Sequence, residues 1–283
     1  MAQPSRQLTV ILVCLVCFCL ACLAPGPLAV YGANGAGNSH YELAGRYMSS
    51  RNNLHKALGS IERALSIEPE NANYLVRKAE IVYEISEDEK TSFGLLDKAL
   101  KLSPRNRQAL TLKAKLAAQR GDQDLAVSTA RLIYEGAPAD ADARIAYGRA
   151  LVGAGKYIEG AQILEPVLKE QPRNPVVLDL MALVDEKRQN WSRAISHING
   201  LLEVLHGTPY ARSELIARRS LAYERLGKTD LALSGLREAV KLGPTNHKFR
   251  LELISILKKT GDIAGAQKEE TALKKLEADM LPF

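Results

Sequence analysis

Past residue 22 the chain has no cysteine: Cys14, Cys17, Cys19 and Cys22, all four it possesses, lie in the nine residues CLVCFCLAC. The remainder can form no disulfide and offers no thiolate, either as nucleophile or as metal ligand. Inside the cluster, two C-x-x-C pairs are separated by Phe18 alone, so no segment between them can fold around a metal. Every other residue there is apolar and could neither orient nor offset thiolates. Histidine is scarce as well: His40, His55, His197, His206 and His247 are scattered with no ligand spacing between any two. H-E-x-x-H, P-loop and G-x-S-x-G motifs are all missing. Aromatic residues make up 5% of the chain, with Trp191 the single tryptophan, too few for a ladder on which bases could stack. The net charge of +6 permits a polyanionic partner, but the basic residues are interleaved with acids instead of forming a stripe. These absences predict no enzyme, no cofactor, no metal, no small-molecule substrate and no nucleic-acid partner. A basic exterior facing an anionic membrane surface accounts for the charge equally well.

Charge itself is missing from Leu8 to Ala24, a run preceded by Arg6 and ended by Pro25-Gly26-Pro27, which cannot continue a helix. A basic start, an apolar stretch and a break describe a secretory signal over residues 1–32. In such a helix the cysteines act as small hydrophobes. Three outcomes stay open. Small residues permit cleavage after Gly32 or Gly35; the run also reaches the short limit of a membrane span; and Leu20-Ala21-Cys22 matches the end of a bacterial lipobox, which would place a lipid on Cys22. Each outcome exports the remainder of the chain, to the bacterial periplasm or to an envelope membrane held through the N-terminal segment. Residues 33–37, rich in Gly and Asn, read as a flexible linker.

What the rest does have is a period. The tripeptides PEN, PRN, PAD, PRN and PTN begin at Pro69, Pro104, Pro138, Pro172 and Pro244, spaced by 35, 34, 34 and 72 residues. The last gap is one period plus a longer one, with His206 where a proline is due and an insertion, Pro209 to Arg212, after it. With each proline set as position 32, position 20 is always small: Ala57, Ser92, Ala126, Gly160, Ala194, Ala232 and Ala266. Position 8 is Gly45, Ala79, Ala114, Gly148, Ala182 and Ser220, failing only at Ile254. Position 15 is glycine at Gly121, Gly155, Gly227 and Gly261. Small residues let two antiparallel helices approach, glycine supplies a left-handed turn between them, and the Asn or Asp after each proline can cap the next helix.

A 34-residue helix–turn–helix period of this composition resembles the tetratricopeptide repeat family. The unit YGRALVGAGKYIEGAQILEPVLKEQP is similar to the family pattern at nearly every signature position. The fold expected is an all-α, right-handed solenoid of seven helix pairs over 38–280: 38–71, 72–106, 107–140, 141–174, 175–212, 213–246 and 247–280, one domain in all. Lys78, Lys113 and Arg219 stand at position 7, usually apolar, and are expected to pack their stems while their heads reach water. The polar last helix, AQKEETALKKLEADM, reads as an end cap.

The resemblance implies a function as well. The first helices of such repeats line a concave groove that holds a protein or peptide. Carried over at positions 2, 5, 9, 12 and 13, the groove takes in Glu42, Arg46, Glu80, Tyr83, Glu84, Lys115, Asp142 and Arg149. Further along it takes in Asp179, Leu183, Glu186, Lys187, Glu214, Leu221, Glu224, Arg225, Lys248, Lys258 and Lys259. Repeats five and six carry an acidic surplus, and the lysines of repeat seven read as unopposed. Position 5 is nowhere lysine, so the family's clamp for a C-terminal carboxylate is missing. The expectation is an exported scaffold that assists assembly of an envelope machine such as a pilus or secretion system. An accessory factor of outer-membrane biogenesis or exopolysaccharide export is the alternative. The run ALVGAGKYIEGAQILEPVLKEQPRNPVVLDLMALVDEKRQNWSRAI is similar to the repeat proteins of tight-adherence pilus assembly.

Overall fold

A computed structural model describes residues 28–205 and 207–279, with side chains from 35 to 278. The uncharged run and Cys22 lie outside the described residues. Fourteen α-helices and one short 3-10 turn succeed one another, and no strand occurs among the described residues. The chain divides into two compact units, 1–113 and 114–283.

The first unit holds α1 (Leu28–Met48), a 3-10 turn (Arg51–Asn53), α2 (Leu54–Ile67), α3 (Ala72–Ser86), α4 (Glu89–Leu102) and the start of α5 (Arg107–Gln119). Ala44, Ala57, Ile61, Ala64, Tyr74 and Ile81 form its core cluster. Here the structure departs from the sequence expectation at 33–37. Those residues are helical, as part of an α1 that already begins at Leu28. The cause is packing. Gly37 is buried where a Cβ would lie 2.7 Å from Glu68 Oε1 and 3.2 Å from the Tyr74 hydroxyl, so its lack of a side chain permits contact. Ser39 Oγ donates to the Gly35 carbonyl within the same turn.

The second unit continues with α6 (Gln123–Gly136), α7 (Ala141–Gly153), α8 (Tyr157–Glu170), α9 (Pro175–Lys187), α10 (Trp191–Val204), α11 (Pro209–Arg225), α12 (Thr229–Leu242), α13 (His247–Lys259) and α14 (Ile263–Asp279). Helices therefore alternate as first and second members of seven pairs, as the period predicts. The glycines of position 15 adopt positive φ, from 71° at Gly227 to 85° at Gly121. Two turns reach that region without glycine, at Glu87 (φ 53°) and Gln189 (φ 61°). Asn71, Asp140, Asn174 and Asn246 each accept a backbone N–H of the next helix, and Asn106 accepts one from Ala109, so the capping expectation holds. Each such cap contributes about 1 kcal/mol.

Within the pairs, position 20 is buried throughout. One close crossing joins α7 and α8. A Cβ on Gly148 would meet Leu164 at 2.6 Å, and one on Gly160 would meet Val152 at 2.8 Å. Ser92 uses its buried hydroxyl to reach the Ala79 carbonyl at 3.1 Å, joining positions 20 and 8 across one pair. Gly45 differs: nothing lies within 4 Å of where its Cβ would be, so the first pair does not depend on it.

Position 7 shows what holds one pair to the next. Lys78 donates to Glu62 at 2.9 Å, Lys113 to Asp97 at 2.7 Å, and Arg219 to Asn199 at 3.0 Å. The partner is each time position 25 of the preceding repeat. The sequence separation is 16, 16 and then 20, the last enlarged by the four inserted residues. The insertion thus leaves the stacking register untouched. It adds a turn to the start of α11, which has 17 residues where α7, α9 and α13 have 13. Pro209–Arg212 accordingly belongs to the sixth pair and not to the end of the fifth. Pro209 fits the first helical position, and Thr208 caps it by accepting the Ala211 N–H at 3.3 Å.

Candidate functional site

The residues expected to line the groove do lie on first helices, and their neighbours decide what each can do. In the first unit Arg46 is exposed on α1 while Tyr83 is half-buried on α3. Glu80 on α3 is held by Arg77 at 3.3 Å. Arg77 also donates to the Tyr41 hydroxyl at 3.2 Å and stacks 5.1 Å above that ring, tying α3 to α1.

In the second unit Lys115 is exposed on α5, and Asp142 and Arg149 are exposed on α7. Asp179, Glu186 and Lys187 sit on α9, Glu214, Glu224 and Arg225 on α11, and Lys248, Lys258 and Lys259 on α13. Arg218, which the family's groove positions pass over, organises this stretch. Its Nη1 meets Asp179 Oδ1 at 2.7 Å, while Nε and Nη2 meet the two Glu186 oxygens at 3.0 and 3.2 Å. Burial alone would lower the Arg218 pKa; the hydrogen bonds and charges of Glu186 and Asp179 more than offset that and raise it. The fork satisfies planar carboxylate geometry as lysine could not.

The lysines of repeat seven are matched as well, which corrects the expectation that they are unopposed. Lys259 contacts Glu224 at 2.7 Å, Lys258 contacts Glu270 at 2.6 Å, and Lys248 reaches Glu252 at 4.0 Å. Arg225 adds a looser contact to Glu224 at 3.8 Å. Asp179, Glu186, Glu224, Lys258 and Lys259 on this face therefore join neighbouring helices. Arg149 and Glu214, like Lys115, Asp142 and Lys187, are exposed and make no ion pair within 4 Å among the described residues. Arg149 and Glu214 border one cavity of about 800 Å³ that Asp179 and Arg218 also line.

A different polar cluster lies between α9 and α10. Asp185, fully buried, receives Asn190 Nδ2 at 3.2 Å, with Arg193 Nε at 3.4 Å and His197 Nε2 at 3.3 Å. Burial lowers the His197 pKa from its ordinary 6.5; Asp185 pulls it upward, and the charge of Arg193 lowers it further. Among the described residues no group of three or more His, Cys, Asp and Glu side chains is placed to hold a metal. No helix among them is long and apolar enough to cross a membrane.

Sequence reasoning overlooked Arg218 because it stands at position 6 of its repeat. The available signal was its separation of 32 and 39 residues from two acids, close to one period and so on the neighbouring first helix.

Comparison with known proteins agrees with this architecture. Residues 94–143 match the family model described as tetratricopeptide repeat. Among curated proteins none matches the chain in sequence. Solved structures do resemble it. PilF of Pseudomonas aeruginosa superposes with a TM-score of 0.66 at 17% identity, covering 81% of this chain and 99% of that one. PilW, a widely conserved type IV pilus biogenesis factor, gives 0.65 at 18% identity, with 78% and 98% covered. A tetratricopeptide repeat protein from Parabacteroides merdae gives 0.62 at 16% identity, with 86% and 97% covered. At these identities the likeness is one of fold. The fold class is all-α, with helices packed in sequential pairs, and residues 94–143 are the part that matches the tetratricopeptide repeat model.

Proposed function

We propose that this chain is an exported bacterial scaffold which holds protein or peptide segments against the face formed by its first helices and assists assembly of an envelope machine such as a pilus. The observation that carries the binding part is the distribution of polar groups on that face. Long charged side chains from successive first helices converge there and are fixed by cross-helix pairs such as Arg218 with Glu186, which suits holding an extended surface. The apolar run Leu8–Ala24 supports export. The pilus reading rests on the resemblance of the central repeats to tight-adherence pilus assembly proteins, supported by the likeness of fold to PilW.

Photo-crosslinking in intact cells tests this. A benzoylphenylalanine at Leu183 or Leu221, on first helices α9 and α11, should capture envelope proteins, and removal of the chain should reduce assembled surface pili. Crosslinks confined to cytoplasmic proteins would contradict the reading, and unchanged piliation would remove its finer part.

A further inference from the structure

The four-residue insertion sets one place on this array apart. It does not serve stacking, because Arg219 finds the same partner position as Lys78 and Lys113 once its four residues are counted. It presents Tyr210, 54% exposed, on the added turn. Opposite stand Val176 on α9 and Leu205 after α10, 37% and 38% exposed. Exposed apolar side chains scattered singly need no explanation. These three instead share the cavity of about 800 Å³, with Leu180, Leu201 and Leu215 deeper in its lining. A volume in the upper part of the roughly 300–1,000 Å³ typical of ligand pockets is more than one side chain fills. A gathered apolar surface rimmed by charge marks an interaction site.

The rim specifies the occupant. Arg218 is already engaged by Asp179 and Glu186. Arg149 and Glu214 are the lining charges without an ion pair among the described residues, and they have opposite signs. A fatty acid could pair its carboxylate with Arg149 but would leave Glu214 unmatched, and a nucleic acid would be repelled by Glu214. A polypeptide can satisfy both. We propose that the cavity walled by the inserted turn is a docking pocket for large apolar side chains of a partner polypeptide, flanked by an acidic residue on the Arg149 side and a basic residue on the Glu214 side. The proposal rests on the first-helix face being the binding face and names the chemistry of what it takes.

Short synthetic peptides with a Leu/Phe core between an Asp and a Lys, varied in spacing, provide the probe. Their counterparts have the charges reversed, or the core replaced by Ser. Fluorescence anisotropy with the purified protein should show binding that weakens at least about fivefold for the Ser-core peptides, and as much for Tyr210→Ser or Leu205→Ser in the protein. The double change Arg149→Glu with Glu214→Arg should reverse the preference, favouring the charge-reversed peptide. A merely structural role would not produce that reversal. Failure of every peptide to bind overturns the pocket, as does binding indifferent to Tyr210 and Leu205 or to the charge exchange. A dimer in sedimentation that dissolves with Tyr210→Ser would make a second copy the occupant, and lauric acid outcompeting every peptide would make it an acyl chain; both contradict the proposal. Peptides that ignore the pocket changes yet are lost on Lys187→Glu or Lys258→Glu would leave the binding face standing and the pocket refuted. The crosslinks from Leu183 and Leu221 judge the face independently.

Discussion

At the scale of the residue, backbone conformation and burial separate positions that look alike in the repeat. Gln189 takes φ 61° at the turn where Gly121, Gly155, Gly227 and Gly261 stand in other pairs. A side chain in the left-handed region costs about 1–2 kcal/mol, and glycine returns about 0.5–1 kcal/mol of that as backbone entropy. Gln189→Gly should therefore stabilise the protein by about 0.5–1 kcal/mol, read as a rise in melting temperature of a few degrees; no rise would mean that the turn carries no strain. His197 makes a second case. Burial depresses its folded pKa below the ordinary 6.5, so its contribution to stability is present above pH 6.5 and is lost as pH falls through the lowered folded value. Glu252 acts in the opposite sense. Burial raises its pKa above 4.5, so its contribution is present below pH 4.5 and is lost as pH rises through the raised value. Urea denaturation between pH 7 and pH 5 should show stability falling toward acid less steeply in His197→Gln than in the parent chain. Equal slopes would place the acid sensitivity elsewhere.

At the scale of the element, what the sequence disclosed was local and what it hid was relational. The helix pairs, their caps and their glycine turns were legible because each requirement falls on one residue at a fixed place in the period: a positive φ, a capping oxygen, a missing side chain. Arg218, Glu186 and Asp179 were not legible as a unit, since α9 and α11 bring them together across 32 and 39 residues. The insertion was visible, but nothing in its composition said that it extends α11 instead of lengthening a loop. Pairing between elements also alters what charge reversal on this face would do. Side-chain exposure is only 20% at Glu186 and 19% at Glu224, and each receives a cation from the next first helix. Glu186→Lys would therefore set a lysine against Arg218, coupling any loss of binding to a loss of folding stability. Arg218→Ala should cost about 1.5–3 kcal/mol by leaving Glu186 without its charged partner. Arg218→Ala combined with Glu186→Gln should recover part of that cost, because the orphaned charge is gone. Additive losses in this double-mutant cycle would show that the fork contributes nothing beyond its separate parts.

At the scale of the whole molecule, the repeats and the uncharged run Leu8–Ala24 make separate demands on the N-terminal region. Export requires the run to act as signal or anchor, whereas α1, beginning at Leu28, supplies the first helix of the first pair. The two demands are compatible. Cleavage after Gly32 or Gly35 would shorten the start of α1 but spare Gly37, which packs against Glu68 and Tyr74, and Tyr41, which stacks on Tyr74 at 5.2 Å. A lipid on Cys22 would leave the whole of α1 in place and put a few residues between membrane and repeat. The native protein should therefore fractionate outside the cytoplasm and be open to protease added from the periplasmic side. Mass spectrometry should find its N-terminus at Ala33 or Ala36, a lipidated Cys22, or an intact leader held in the membrane. Removal of residues through 40, by contrast, would strip the cover from Gly37's site and lower the stability of the first unit. An intact Met1 in soluble cytoplasm would defeat the export reading while leaving the helix pairs, and the pocket beside Tyr210, as they are.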